Sequence, residues 1–240
     1  MQTPLFLENS YLAEFDADVI AVDETGIRLS QTAFYATSGG QPGDSGRLLI
    51  ANDVLPVTVA RKGASPADIV HVPAEGCALP AVGTRVKGMI DWETRHKHMR
   101  MHTLLHLVCS LVDAQITGCQ IGAEKSRIDM NAQADAFDKE AMTAALNKLI
   151  EDDHPVSMRW ISDEELLANP GLVRSMSVKP PIGFGQVRLV QIGTDNNVID
   201  LQPCGGTHVR STGEIGKIVI AKIENKGKLN RRMTLTFDTP

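Results

Sequence analysis

Two short stretches, far apart in the chain, make the strongest demand on its fold. One is His102-Thr103-Leu104-Leu105-His106 and the other is Cys204-Gly205-Gly206-Thr207-His208. Each sets two nitrogen or sulfur ligands four positions apart. On a helix, residues i and i+4 share a face, so His102 and His106 can address one ion. Adding Cys204 and His208 gives a His3Cys set, the tetrahedral chemistry that suits one Zn²⁺ per chain. Taken singly, each pair is weak evidence, because two histidines on an apolar helix are often hydrogen-bonded core residues. Together they favour the metal reading: the glycines permit a tight turn beside a ligand, and Pro203 stiffens the approach. The first motif has no glutamate beside its first histidine, so the general base of an HExxH protease is missing. Four protein ligands usually mark a structural zinc, and three with an open position a catalytic one. Spacing leaves both uses open.

The 240 residues suffice for two modest domains or one large one, with 42% hydrophobic and 22% charged residues as in ordinary globular chains. Aromatics are only 4%, so mostly aliphatic cores are expected. No apolar run reaches membrane-span length, and the N-terminus has neither a basic start nor a long apolar segment. A cytoplasmic protein without membrane association is expected. Of the four cysteines, Cys204 has ligand-like neighbours, whereas Cys77, Cys109 and Cys119 read as reduced core or loop residues. A net charge of −5 argues against coating nucleic acid along a broad basic face and leaves room for a local basic patch.

Along the chain, residues 1–90 read as short strands separated by Gly, Pro and Asp clusters: 18–23, 27–34, 46–50, 54–60, 69–72 and 85–92. Such spacing predicts a small barrel or sandwich. After Asp91 the period changes to helical, with Leu104, Leu105, Leu107, Val108, Leu111 and Val112 as an apolar stripe. Asp91 or Thr94 is the candidate cap, and Gly118 lies just past a plausible end. A second helix is predicted over 138–152 with Asp138 as N-cap. Ser162 to Glu165 has capping-box spacing for a short third helix, closed by Pro170-Gly171. Strands are expected at 126–130, 156–161, 186–192, 198–201, 216–224 and 233–237. The expected class is α+β: a barrel-like domain at 1–90, then a domain at 91–240 with a mainly antiparallel sheet and helices packed on it.

Two further stretches carry unusual residues. Ser38-Gly39-Gly40-Gln41-Pro42-Gly43-Asp44-Ser45-Gly46 is either a plain turn or a phosphate- or ribose-contacting loop. Lys222 to Arg232 is either a solvated hairpin or a phosphate-binding edge. Arg95, His96, Lys97, His98 and Arg100 could extend that basic patch, although a solvated first helical turn is favoured.

HTLLH, PCGGTH, SGGQPGDSG and NKGKLNRR, taken together, resemble the alanyl-tRNA editing proteins called AlaX. These are freestanding relatives of the editing domain of alanyl-tRNA synthetase, also related to that of threonyl-tRNA synthetase. The resemblance runs from about residue 25 to the end, in the medium-length form with a glycine-rich N-terminal domain before the metal domain. It implies hydrolysis of the ester in Ser-tRNA(Ala), and in some members Gly-tRNA(Ala), with tRNA(Ala) as partner. It implies zinc at His102, His106, Cys204 and His208, with His106 and Cys204 at the reacting centre. Gln41, with Gly39 and Gly40, matches the family's GGQ stretch, which is associated with editing. Lys226, Lys228, Arg231 and Arg232 match its basic strand edge, with Leu229 standing where relatives more often carry a small or polar residue. Gln120, Asp129 and Thr207 are candidates for reading the serine hydroxyl. The competing reading is a tRNA-binding module with a purely structural zinc. Oligomeric state is not fixed by the sequence; a monomer is the working expectation.

Overall fold

The computed structural model describes residues 2–65, 67–133, 137–175, 183 and 185–238. The chain divides into two compact units, Met1–His98 and Met99–Pro240.

The first unit is a closed antiparallel barrel. Its strands are β2 (Glu14–Asp23), β3 (Gly26–Leu29), β5 (Gly46–Ile50), β6 (Asp53–Lys62), β7 (Ile69–Pro73) and β8 (Arg85–Ile90), in the order β2-β3-β7-β6-β5-β8. A two-residue parallel pair, β1 (Thr3–Pro4) with β4 (Gln31–Thr32), lies outside the barrel sheet. Alternation drives closure: Phe15, Ala17 and Val19 of β2 point inward, as do Leu55 and Val57 of β6 and Val86 and Ile90 of β8. Gly88 belongs to the same inward set, because a Cβ there would meet the Phe15 ring at 2.3 Å. The scarce aromatics are concentrated in this core. Phe15 meets Phe34 edge-on at 6.0 Å, Phe34 meets His71 at 5.1 Å, and Phe6 meets Tyr35 at 5.3 Å.

Helix α1 (Trp92–Leu111) begins in the first unit and ends in the second. Asp91 caps it, accepting from the Thr94 amide at 3.3 Å and the Thr94 hydroxyl at 2.7 Å. Its second half is buried almost all round: Met99, Met101, Leu104, Leu105, Leu107 and Val108 are all core. The helix stops at Leu111, which is exposed rather than part of the expected apolar stripe. Gly118 does not cap this helix. It lies inside a strand the sequence did not announce, β9 (Gln115–Gln120), paired with β10 (Lys125–Asn131).

Among the described residues, the second unit holds two antiparallel sheets. One has the order β14-β15-β10-β9, with β14 (Ile218–Asn225) and β15 (Asn230–Phe237). The other has the order β11-β12-β13, with β11 (Val156–Ser162), β12 (Gln186–Thr194) and β13 (Asn197–Pro203). Helix α2 (Lys139–Glu151) packs on β14, and Asn147 ties it there by accepting from the Ile218 amide and donating to the Ile218 carbonyl. Asp138 is its N-cap and accepts from the Ala141 amide at 2.7 Å. Ser162 caps α3 (Asp163–Ala168) in the same way through the Glu165 amide. Ile161, Leu166, Val187 and Leu189 form the core between α3 and the three-stranded sheet. No described helix is long and apolar enough to cross a membrane.

Candidate metal centre

The two ligand pairs converge. One ligand atom from each of His102, His106, Cys204 and His208 lies within 4.8 Å of the others. Helix α1 supplies the histidine pair, with ring centroids 5.3 Å apart. Strand β13 delivers Cys204 directly past its end, and the glycine turn brings His208 back, its ring centroid 4.3 Å from that of His102.

Three of the four are held by neighbours. His106 Nδ1 lies 2.9 Å from Asp200 Oδ2, which also accepts from Gln202 Nε2 at 2.9 Å. His208 Nδ1 lies 3.1 Å from Thr103 Oγ1. Both contacts leave Nε2 available to a metal, the carboxylate– or hydroxyl–histidine arrangement that fixes ring and tautomer in metal sites. The ligand turn is held from β12. Arg188 donates to the Cys204 carbonyl at 2.9 Å and the Gly206 carbonyl at 2.8 Å, and its own carbonyl accepts from the Cys204 amide.

The donor set fits a tetrahedral metal. Bond lengths of about 2.3 Å to sulfur and about 2.0–2.1 Å to nitrogen place S and N roughly 3.5 Å apart at the tetrahedral angle. Cys204 Sγ lies 3.5 Å from His102 Nε2 and 3.3 Å from His208 Nε2. Electrostatics points the same way at Cys204 and His208. Burial raises the Cys204 thiol, but His102 and His208 outweigh it and hold the group well below its ordinary range. Burial, aided by His102, holds His208 well below its usual value. Thiolate and neutral imidazole are the forms that bind metal. At His106, burial pulls the pKa down, while Asp200 and Cys204 outweigh it and push it up to about 10.

The other expected residues fall in several places. Gln41 is fully buried, in a turn closed by hydrogen bonds between Ser38 and Gln41 in both directions. Gly39 and Gly40 form that turn with φ of 55° and 82°, and Gly43 is required because a Cβ there would meet the Ala60 carbonyl at 1.8 Å. Asp129, on β10, is clamped by Arg232 at 2.7 and 2.9 Å and by Arg127 at 2.8 Å. Burial raises its carboxyl, and the two guanidinium groups outweigh this and lower it. Gln120 accepts from Arg127 at 3.1 Å, and Thr207 is fully buried inside the ligand turn. Lys226 pairs with Glu224 at 3.2 Å, and Lys228 is exposed. Arg231 is only 3% exposed and donates to the carbonyls of Gln133, Gly227, Lys228 and Asn230, so it ties the β14–β15 turn together.

The basic cluster before the histidine pair is not a solvated turn. Arg95 is fully buried and pairs with Asp44 of the glycine loop, while donating to the carbonyls of Ser10 at 2.9 Å and Ala33 at 2.6 Å. His98 is buried, and Arg100 donates to the Ile215 carbonyl and covers the Phe237 ring at 3.9 Å. Asp44 and Arg95 went unpaired in the sequence because nothing local links them. Asp200 had a legible signal. Asp200 and Gln202 alternate along one strand that ends just before Cys204, which puts two buried polar side chains on the face that leads to it.

Comparison with known proteins adds lineage. Residues 187–234 match the family described as "Threonyl and Alanyl tRNA synthetase second additional domain". Residues 6–94 match "tRNA synthetases class II (A)". The alanyl-tRNA editing protein AlaX-M of Methanosarcina acetivorans is 39% identical, over 99% of both chains. That of Saccharolobus solfataricus is 34% identical, over 98% of this chain and 99% of its own. The alanine–tRNA ligase of Pyrobaculum calidifontis is 38% identical over 92% of this chain and 25% of the ligase. With that identity spread over nearly its whole length, the chain belongs to the AlaX-M family of alanyl-tRNA editing proteins.

Proposed function

We propose that the protein is a trans-editing hydrolase that removes the wrong amino acid from mischarged tRNA(Ala), with the serine ester as principal substrate and the glycine ester as its companion. The observation that carries the reading is the His3Cys cluster with Asp200 and Thr103 behind it, in a chain whose relatives are named for alanyl-tRNA editing. The reaction adds water to the ester carbonyl and breaks the acyl–oxygen bond to the ribose. The ribose oxygen takes the proton, leaving free serine and uncharged tRNA. His102, His106, Cys204 and His208 would hold zinc, which when bound polarises a carbonyl and lowers the pKa of water to about 7.

The remaining roles belong to the chain. Asp200 keeps His106 turned toward the centre, and Thr103 does the same for His208. Within the ligand turn Gly206, Thr207 and His208 are buried, and polar contacts made in such water-poor surroundings are strengthened. Asp129, Gln120 and Thr207 are proposed to read the serine hydroxyl. A site that hydrogen-bonds a hydroxyl discriminates strongly against the analogue that lacks it, because its own buried polar groups would go unpaired. This logic spares the correct alanine ester. Gln41, Gly39 and Gly40 are proposed to act on the same substrate, and Lys226, Lys228 and Arg232 to hold RNA phosphates, with Arg231 shaping their turn.

Four protein ligands also suit a structural zinc in a tRNA-binding module. The deciding experiment is deacylation of purified Ser-tRNA(Ala) with Ala-tRNA(Ala) as control. The hydrolase reading expects rapid loss of serine and a spared alanine ester. Zinc-loaded, folded protein that binds the tRNA and leaves the serine ester intact establishes the binding module instead.

A further inference from the structure

One exposed aromatic lies beside the ligand turn with no role so far. Trp160 is 45% exposed and sits on β11, one of the two edge strands of its three-stranded sheet. Strand alternation puts Trp160 and Met158 on one face and Ile161 on the other. The Ile161 face is closed by Leu166 of α3 together with Val187 and Leu189 of β12. On the Trp160 face, the residue directly across the ladder is Arg188, and Met158 faces Val190. Cross-strand partners of this kind hold their Cβ atoms about 5 Å apart. Arg188 is the residue that grips the Cys204 and Gly206 carbonyls, and its guanidinium also touches Met158 Sδ. The indole is thus one cross-strand pair away from the turn that carries two of the four ligands. The strand bears an exposed Arg159 and no carboxylate in a chain of net charge −5.

We propose that Trp160, flanked by Met158 and backed by Arg188, is a stacking platform for an unpaired nucleobase at the 3′ end of the RNA whose ester enters the metal centre. An exposed indole offers a flat face that every base can cover, and a neighbouring arginine favours an anionic strand over a basic or neutral partner. Placement beside the ligand turn matters because the amino acid is esterified to the terminal nucleotide. A base held on the platform fixes the ribose that carries the scissile bond. The inference rests on the editing function proposed above.

The test uses the full chain loaded with zinc. Wild type, Trp160→Phe and Trp160→Ala are titrated with an uncharged RNA hairpin that ends in a short single-stranded 3′ overhang, and with the same hairpin made blunt. Tryptophan fluorescence is the readout, and Trp92 is the only indole left in the variants. The overhang hairpin should quench the wild type, with the Trp160 contribution absent in both variants and for the blunt hairpin. In deacylation, Trp160→Ala should raise KM on the order of tenfold with kcat within about twofold, and Trp160→Phe should restore most of the KM. Circular dichroism checks that each variant is folded. Equal quenching by both hairpins, or an unchanged KM in folded Trp160→Ala, overturns the platform while leaving editing intact. Overhang-dependent quenching without any ester cleavage keeps the platform and overturns the hydrolase. Self-association that disappears in Trp160→Ala, without RNA quenching, overturns the proposal in favour of a contact between two copies of the chain.

Discussion

At the scale of single residues, the second layer around the ligands decides how well the site is built. Asp200 fixes His106 through one hydrogen bond and is itself held by Gln202. Removing such a partner typically costs ten- to hundredfold in metal affinity. Asp200→Asn should therefore lower zinc affinity by about that factor in a competition titration with a chromogenic chelator, and an unchanged affinity would remove Asp200 from the site. His71 makes a different residue-scale prediction. It is buried in the barrel, with Nε2 2.8 Å from Thr32 Oγ1 and Nδ1 3.0 Å from the Ile27 carbonyl. Burial is the dominant cause and lowers its pKa to about 4. A depressed histidine leaves the folded state with fewer protons than the unfolded state between pH 6.5 and 4. Its contribution is full above pH 6.5 and declines as pH falls, by roughly 1.4 kcal/mol per pH unit and roughly 3 kcal/mol in all. Urea unfolding at pH 7 and pH 5 should show that slope in the wild type and a flatter one in His71→Gln.

At the scale of elements, the glycine loop and the first turn of α1 are joined by a charge pair. Asp44 Oδ2 also accepts from the Tyr35 amide at 2.6 Å, so the pair organises the loop backbone as well as the helix start. Breaking a buried pair by removing one member leaves an uncompensated charge and costs about 3–5 kcal/mol. Asp44→Ala should lose that much in chemical denaturation, and Asp44→Leu combined with Arg95→Met should recover a large part of it. A loss under about 1 kcal/mol for the single variant would show that the pair is not what holds the loop. Element boundaries were legible wherever local chemistry sets them. Asp138 and Ser162 announced α2 and α3 because a cap is a contact within a few residues. Strand β9 was silent because Gln115–Gln120 is short, polar and interrupted by Gly118, and it is a strand only through its register with β10.

At the scale of the whole molecule, one experiment asks whether the metal serves structure or chemistry. If the cluster is catalytic, a strong chelator should abolish Ser-tRNA(Ala) deacylation while far-ultraviolet circular dichroism changes little, and added zinc should restore turnover. Loss of secondary structure in parallel with activity would mark a structural ion. The barrel, with its own aromatic core, contains none of the four ligands. It should therefore keep its near-ultraviolet signal under the same treatment.

The sequence by itself marked the His3Cys cluster as a candidate metal centre, and determined the helix that carries half of it, the capped helices and the strand-rich N-terminal unit. Residue type and short-range spacing encode all of these. Only the tertiary structure decided that Arg95 turns inward onto Asp44, that Arg231 spends its guanidinium on turn carbonyls, and that Trp160 is left exposed opposite Arg188. It also decided the sheet orders β14-β15-β10-β9 and β11-β12-β13, which follow from register across distant strands. The physical reason is common to these cases. Spacing on a helix or strand fixes which side chains share a face, but what that face meets depends on contacts whose free energy exists only once distant segments have closed on one another.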